Sequence, residues 1–483
     1  MILCCQRKEA FQKVRDQARL LCVFLCRCQA SHPSSSGQRS LMLKLGASFF
    51  LFGLINNVLY VIILSAALDL VPPSTPKGII AFCNITPALI AKVGWPYILK
   101  GRIRYRIRLI SCCVLSVLGM LVVSAFDSLY MRLLGIGLAS FSSGLGELTF
   151  LQLSTTYRPR SVAGYAVGYF ASGTGAAGLV GAALWWFVRS LGVRLGIGLS
   201  AILPVVIPLA FILLLPPSAV FASRALDIGD DNADTNVSAY APIPTGEEHD
   251  HPASPPMFSS TGATSKAALT PRDKWTLVRP LLLKYMLPLS CVYLFEYTIN
   301  QGIAPTLVFP VPSPITQPFL SHIITSIRDY YPLWQLVYQS TVFISRSSLS
   351  VGIPPLPSRL LPLPAIIQAA ILITLAIESA SGIFDFASEE WSFFCVFILI
   401  STEGICGGLA YVNTFYHVGQ EPSVSSPRGE DSEIARQERE FKIGSIGFSD
   451  SLGILLASIL AVPTEVQLCK AQMRRGKMLC AQL

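Results

Sequence analysis

Apolar residues run along this chain in stretches of roughly twenty, without the alternation of a half-buried strand or the polar face of a water-exposed helix. Such stretches fall at 45–68, 79–99, 107–126, 131–156, 164–188 and 195–215. The pattern then breaks. From 216 to 280 the acids Asp227, Asp230, Asp231, Asp234, Glu247, Glu248 and Asp250 stand among Pro, Ser and Thr, a composition that cannot bury a core and predicts a disordered linker. Apolar runs resume at 281–300, 333–352, 361–380, 391–415 and 445–466, while the Pro-rich stretch from Phe309 to Pro318 is not expected to span. The expectation is an all-α polytopic membrane protein of about eleven transmembrane helices. Six form an N-terminal bundle (45–215) and five a C-terminal bundle (281–466), with tails at 1–44 and 467–483.

Composition agrees with that reading. Of the 483 residues 52% are hydrophobic and 13% charged, against about 25% charged in soluble domains. Lys and Arg exceed Asp and Glu by 37 to 28, but the net +9 lies in short loops rather than on a patch for nucleic acid. Basic loops are retained in the cytosol. Lys100, Arg102, Arg104, Arg106 and Arg108 follow the second run, Arg158 and Arg160 the fourth, and Arg428, Arg436, Arg439 and Lys442 precede the last. The loop before the tenth run carries Asp385, Glu389 and Glu390 and no base. The N-terminus and the 216–280 linker are therefore expected in the cytosol. Cys4, Cys5, Cys22, Cys26 and Cys28 in the N-terminal tail are palmitoylation candidates, and no secreted disulfide framework is visible.

The two halves resemble each other. Leu51-Phe52-Gly53-Leu54-Ile55-Asn56-Asn57 in the first run aligns, with one insertion, to Leu294-Phe295-Glu296-Tyr297-Thr298-Ile299-Asn300-Gln301 in the seventh. Ser142–Tyr157 in the fourth matches Ser401–Tyr416 in the tenth, and Gly168-Tyr169-x-x-Ser172 in the fifth matches Gly447-Phe448-x-x-Ser451 in the eleventh. Repeated bundles of this kind place substrate between the halves.

Acids at membrane depth are costly and functional by default, at about 2.5–3.5 kcal/mol each on insertion scales. Glu147, Glu296, Glu378 and Glu403 qualify, accompanied by the polar Asn56, Asn57, Asn300, Gln301 and Asn413. The two motifs occupy equivalent repeat positions, Asn300 matching Asn56, so Glu296, Asn300, Asn56 and Asn57 are expected to line a central cavity, with Glu147 as a proton-coupling group. Glu403 joins the candidates for substrate or proton binding. Lys92 and Arg346 stand within about three turns of cytosolic helix ends and read as snorkelling side chains; Asp450 is left without a role. Enzyme chemistry finds little support. The five histidines include His249 and His251 in the acidic linker, Gly173-Thr174-Gly175 lacks the strand and lysine of a phosphate loop, and no cofactor or metal is expected. The chain ends Cys480-Ala481-Gln482-Leu483 behind Lys470, Arg474, Arg475 and Lys477, the form of a prenylation box at Cys480. Eleven crossings would place that tail in the lumen, so the lipidated and the eleven-span readings exclude each other.

The motifs resemble those of the battenin family of lysosomal and fungal vacuolar membrane proteins, from about Leu45 to Val466. The strongest stretches are Ser143–Thr149, Glu296–Gly302, Tyr331–Leu349, Glu403–Phe415 and Glu438–Leu456. The resemblance implies a major-facilitator-like two-bundle fold and residence in the vacuolar membrane. It also implies a part in vacuolar pH balance, transport of basic amino acids such as arginine and lysine and, from animal relatives, export of glycerophosphodiesters. A small-molecule substrate, protons and the lipid bilayer are the implied partners. The loop after the second run, Lys100-Gly101-Arg102-Ile103-Arg104, lacks the acid of the superfamily's usual motif. A membrane scaffold that transports nothing is the competing class.

Overall fold

The computed structural model describes residues 36–66, 77–98, 103–188, 191–221, 269–313, 318–384, 389–422 and 433–482. Most of the two cytosolic segments expected from composition, 1–35 and 222–268, lies outside them, as do His249 and His251. The described chain is helical throughout, with no strand. Its N-terminal half comprises α1 (Ser36–Ser65), α2 (Lys77–Ile98), α3 (Tyr105–Ala125), α4 (Leu129–Ser154), α5 (Arg160–Val188) and α6 (Arg194–Leu214). The C-terminal half comprises α7 (Pro271–Thr306), α8 (Tyr330–Arg346), α9 (Leu363–Ser381), α10 (Glu389–Gln420) and α11 (Glu433–Arg474). Among the described residues nine of these are long and apolar enough to cross a membrane. The other two, α2 and α8, pack against α4 and α10 beside them, which is consistent with eleven crossings.

Three helix boundaries differ from the hydropathy reading. α1 begins at Ser36, within the expected tail. α7 begins at Pro271, within the expected linker, because Thr270 and Asp273 form a reciprocal cap: the Thr270 hydroxyl accepts from the Asp273 backbone, and the Asp273 carboxylate accepts from the Thr270 backbone at 2.9 Å. α11 spans 42 residues, about 63 Å at 1.5 Å per residue, twice the hydrocarbon thickness. Its polar N-terminal turns therefore project beyond the apolar run that hydropathy detects.

The halves repeat their packing. α1 lies against α5 as α7 lies against α11, and α2 against α4 as α8 against α10. Between the halves the contacts pair α2 with α11 and α5 with α8, which is again one relation applied twice. The α1–α5 crossing is tight at Gly53 and Gly173, where any Cβ would strike the Phe170 and Phe50 carbonyl oxygens of the facing helix. Large apolar side chains such as Leu213, Leu283 and Ile366 point outward, as a lipid-facing surface requires.

Candidate functional site

A cavity of about 130 Å³ lies between the halves, walled by α1, α2, α4, α5, α7, α8, α10 and α11. Its polar lining follows from helical spacing. Asn84, Ala88 and Lys92 stand four apart on α2, while Ser140, Ser143, Gly144 and Glu147 follow the i, i+3, i+4, i+7 stripe on α4. Each helix thus turns one polar stripe inward.

Four charged side chains meet there. Lys92 Nζ lies 2.8 Å from Glu147 Oε2 and 3.0 Å from Asp450 Oδ2, joining α2, α4 and α11. All three are buried. The Tyr411 hydroxyl donates to Glu147 Oε1 at 2.8 Å. Arg346 enters from α8 with its guanidinium 4.3 Å from the centre of the Tyr411 ring. It donates to Thr174 Oγ1 at 2.8 Å and to the Tyr293 hydroxyl at 2.9 Å. Among the described residues no carboxylate lies within ion-pair distance of Arg346, and its buried Nε meets no acceptor. Two cations and two acids balance formally, which lets a low-dielectric site hold them; the one cation without an acid beside it is Arg346. Asn84 lines the same cavity with neither Nδ2 nor Oδ1 partnered, a costly state for a buried amide.

Glu147 lies in this wall, and most of the other sequence-predicted residues lie elsewhere. Asn57 lines the cavity, with its amide on the Gly53 carbonyl at 3.1 Å. Asn56 turns away to donate to the Ser143 backbone at 3.0 Å. Glu296, Asn300 and Glu403 are not in the cavity wall. They gather instead behind it, within the C-terminal half: Asn300 donates to Glu403 Oε1 at 2.8 Å, and Glu296 accepts from the Tyr338 hydroxyl. The expected set of Glu296, Asn300, Asn56 and Asn57 around one cavity therefore separates: of the four, Asn57 alone is in the wall, and Asn300 turns to Glu403 on α10 as its repeat counterpart Asn56 turns to Ser143 on α4. Glu378 accepts from Ser392 at 2.7 Å and the Phe384 backbone at 2.8 Å, holding the end of α9. Asn413 likewise accepts from the Leu356 backbone at 2.7 Å. Cys480 is paired in a disulfide with Cys469, Cα atoms 5.8 Å apart, so its thiol is not free for a prenyl group.

Lys92, Arg346 and Asp450 are the largest revision. The snorkelling reading measured distance to the helix end and ignored azimuth, whereas all three point into the protein. The inward stripe Asn84-Ala88-Lys92 was the available signal. Among the described residues no group of three or more His, Cys, Asp and Glu is placed to hold a metal.

Beyond the charged layer, at the end marked by basic loops, the halves are tied across. The Tyr105 hydroxyl donates to Glu440 Oε1 at 2.6 Å, and Gln152 Nε2 to the Glu440 backbone at 3.0 Å. Arg108 holds the Gln152 carbonyl at 2.9 Å. Arg160 and Gln420 exchange two side-chain-to-backbone bonds of 3.0 and 2.9 Å.

A family profile described as CLN3 protein matches residues 47–471. Protein BTN1 of Mycosarcoma maydis is 44% identical over 94% of this chain and 91% of its own length. Among solved structures, the human organic anion transporter MFSD10 (TETRAN) superposes with a TM-score of 0.51 at 12% identity, covering 91% of this chain and 99% of that one. The major facilitator superfamily proton:xylose symporter XylE superposes with a TM-score of 0.50 at 10% identity, covering 89% and 96%. At such identities these structures speak for the fold alone.

Proposed function

The chain belongs to the CLN3 protein family and is a membrane transporter-like protein of the major-facilitator fold, and from that premise we propose that it carries basic amino acids, arginine and lysine, across the vacuolar membrane and contributes to vacuolar pH balance. In this reading the N-terminus is cytosolic and transport proceeds by alternating access of the central cavity. A transporter-type protein of this kind is generally not an enzyme.

The observation that supports the reading best is the pairing in one cavity of an Arg346 guanidinium lacking a carboxylate with an acid pair held by Lys92. An α-carboxylate suits the guanidinium, since charge-assisted bonds to Arg are short and directional. A substrate ammonium then competes with Lys92 for Glu147 and Asp450. Release toward the cytosol requires the Tyr105, Gln152 and Glu440 bonds to open. A second reading, a glycerophosphodiester, draws on Arg346 as well and on the unpaired amide of Asn84, which suits hydroxyl groups better than a second cation.

Purified protein in sealed vesicles distinguishes the two. Labelled arginine or lysine should accumulate, and Arg346→Gln should cut uptake roughly 10- to 100-fold, the equivalent of about 1.5–3 kcal/mol for hydrogen bonds to a charged group. Movement of a glycerophosphodiester with no movement of arginine would transfer the assignment to the second reading. Movement of neither would favour a scaffold.

A further inference from the structure

The C-terminal half contains a second polar cluster that the cavity does not use. Glu296 (α7), Gln368 (α9) and Glu403 (α10) are 1% exposed or less. Gln368 Nε2 lies 3.0 Å from the Glu403 backbone oxygen and 3.5 Å from Glu296 Oε2, so one carboxamide touches both acidic residues. Gln335 donates to Asn300 at 2.9 Å, and Asn300 in turn to Glu403 Oε1 at 2.8 Å. With a second Asn300 bond to the Glu296 backbone at 3.0 Å, the amide donors of Asn300 and Gln368 are spent. Two acceptors remain without a partner, Glu403 Oε2 and Gln368 Oε1. Rotating the Gln368 amide offers no remedy, because it would turn an oxygen toward both the Glu296 carboxylate and the Glu403 carbonyl.

Among the described residues no basic side chain lies within ion-pair distance of Glu296 or Glu403. The titratable groups facing the pair are Tyr338 of α8, Tyr297 of α7 and Cys406 of α10, and Arg346 is the cation acting on Glu296 from farther away. A charged carboxylate so placed, with one donor and no base, is far from the usual condition of buried acids. What the cluster lacks is a donor. Space argues for a small one: a Cβ on Gly407 would fall on Glu296 Oε2, so the helices are already closed upon the carboxylate. A sodium ion would need several oxygens arranged around a void of its own size.

We propose that Glu403, supported by Gln368 and Glu296, is a proton-binding site separate from the substrate cavity. A proton on Glu403 Oε2 converts an orphaned acceptor into a donor, and the free Gln368 Oε1 supplies an acceptor on the same cluster. Tyr338 connects this site to the cavity, since its side chain lines the cavity while its hydroxyl donates to Glu296. Loss of the proton adds a negative charge beside Glu296, which weighs on the Tyr338 bond and through it on the cavity wall. This assignment does not depend on which solute the cavity takes.

The test needs no transport assay. Infrared spectra of the purified full-length protein in lipid vesicles, titrated with pH in light and heavy water, should show a protonated-carboxyl band that Glu403→Gln removes and that Glu147→Gln and Asp450→Asn leave in place. Gln368→Leu, which deletes the proposed acceptor, should shift that band without abolishing it. A band unchanged in Glu403→Gln would overturn the proposal. So would sodium-dependent thermal stabilisation that is lost in Glu403→Gln, which would make the cluster a metal-cation site. Glutamine keeps the shape of a neutral acid, so the variant should fold; its Tm checks this directly.

Discussion

At the scale of single residues, the informative side chains are those left unpaired. Asn84 is 2% exposed and neither amide atom finds a partner, which costs the fold about 1–3 kcal/mol. A position kept at such a cost is one where function and stability pull apart. Asn84→Leu should therefore raise Tm in a thermal-shift assay while raising KM for the transported solute roughly tenfold, a loss of about 1.4 kcal/mol in binding. If KM stays constant, Asn84 does not touch substrate. The sequence reading gave this residue no role, and it placed Lys92 and Arg346 at the lipid headgroups. Both misreadings come from treating a helix as a line. Depth is legible from hydropathy, whereas azimuth depends on neighbours brought in from other helices, such as Asp450, which stands 358 positions from Lys92. Glu147 was legible because an acid amid glycines at mid-membrane is anomalous at any azimuth.

At the scale of helices, the repeat detected in the sequence is the repeat seen in the packing. The matched pairs, first with seventh, fourth with tenth and fifth with eleventh, occupy corresponding places in the two halves, so α1–α5 and α7–α11 are one contact made twice. The irregular turn at Ile299–Ile303 has no counterpart in α1, which is one unbroken helix from Ser36 to Ser65, yet Asn300 reaches Glu403 on α10 as its counterpart Asn56 reaches Ser143 on α4. The tie at the basic end was beyond reach, since the polar N-terminal turns of α11 read as loop until packed. There the Tyr105 hydroxyl and Gln152 converge on Glu440, linking α3 and α4 to α11. Removing a hydrogen bond to a charged group costs about 1.5–3 kcal/mol. Tyr105→Phe should thus shift the closed-to-open ratio at this end roughly 10- to 100-fold, read as faster modification by a thiol reagent of a cysteine introduced at Ser449, which is buried in this conformation. Unchanged reactivity would make the tie part of static packing.

For the whole molecule, three independent features bear on which side of the membrane the C-terminus occupies. Basic residues cluster at the end of the bundle that holds the turns before α3 and α5 and the start of α11, the pattern expected of a cytosolic end. α11 then carries the chain away from it, and its far end is fastened by Gln472 to the Thr306 carbonyl at 2.8 Å and by Arg475 to the Ser379 carbonyl at 3.1 Å, both at the opposite ends of α7 and α9. The Cys469–Cys480 disulfide lies on this same side. Disulfides persist in oxidising compartments and are reduced in the cytosol, whereas prenylation needs a free cytosolic thiol. The basic residues Lys470, Arg474, Arg475 and Lys477 oppose this placement by about 1 kcal/mol each through attraction to the cytosolic leaflet, but Lys477 is drawn instead over the Phe309 ring, 5.2 Å from its centre, and Arg475 is bonded. A protein extracted under alkylating, non-reducing conditions should therefore yield a peptide in which Cys469 and Cys480 remain linked, and a thiol-reactive label added outside intact vacuoles should reach a cysteine introduced near Asn236 but not one near Lys477. A lipid on Cys480, or labelling at both positions, would require an even number of crossings and would turn α11 back before it reaches the lumen.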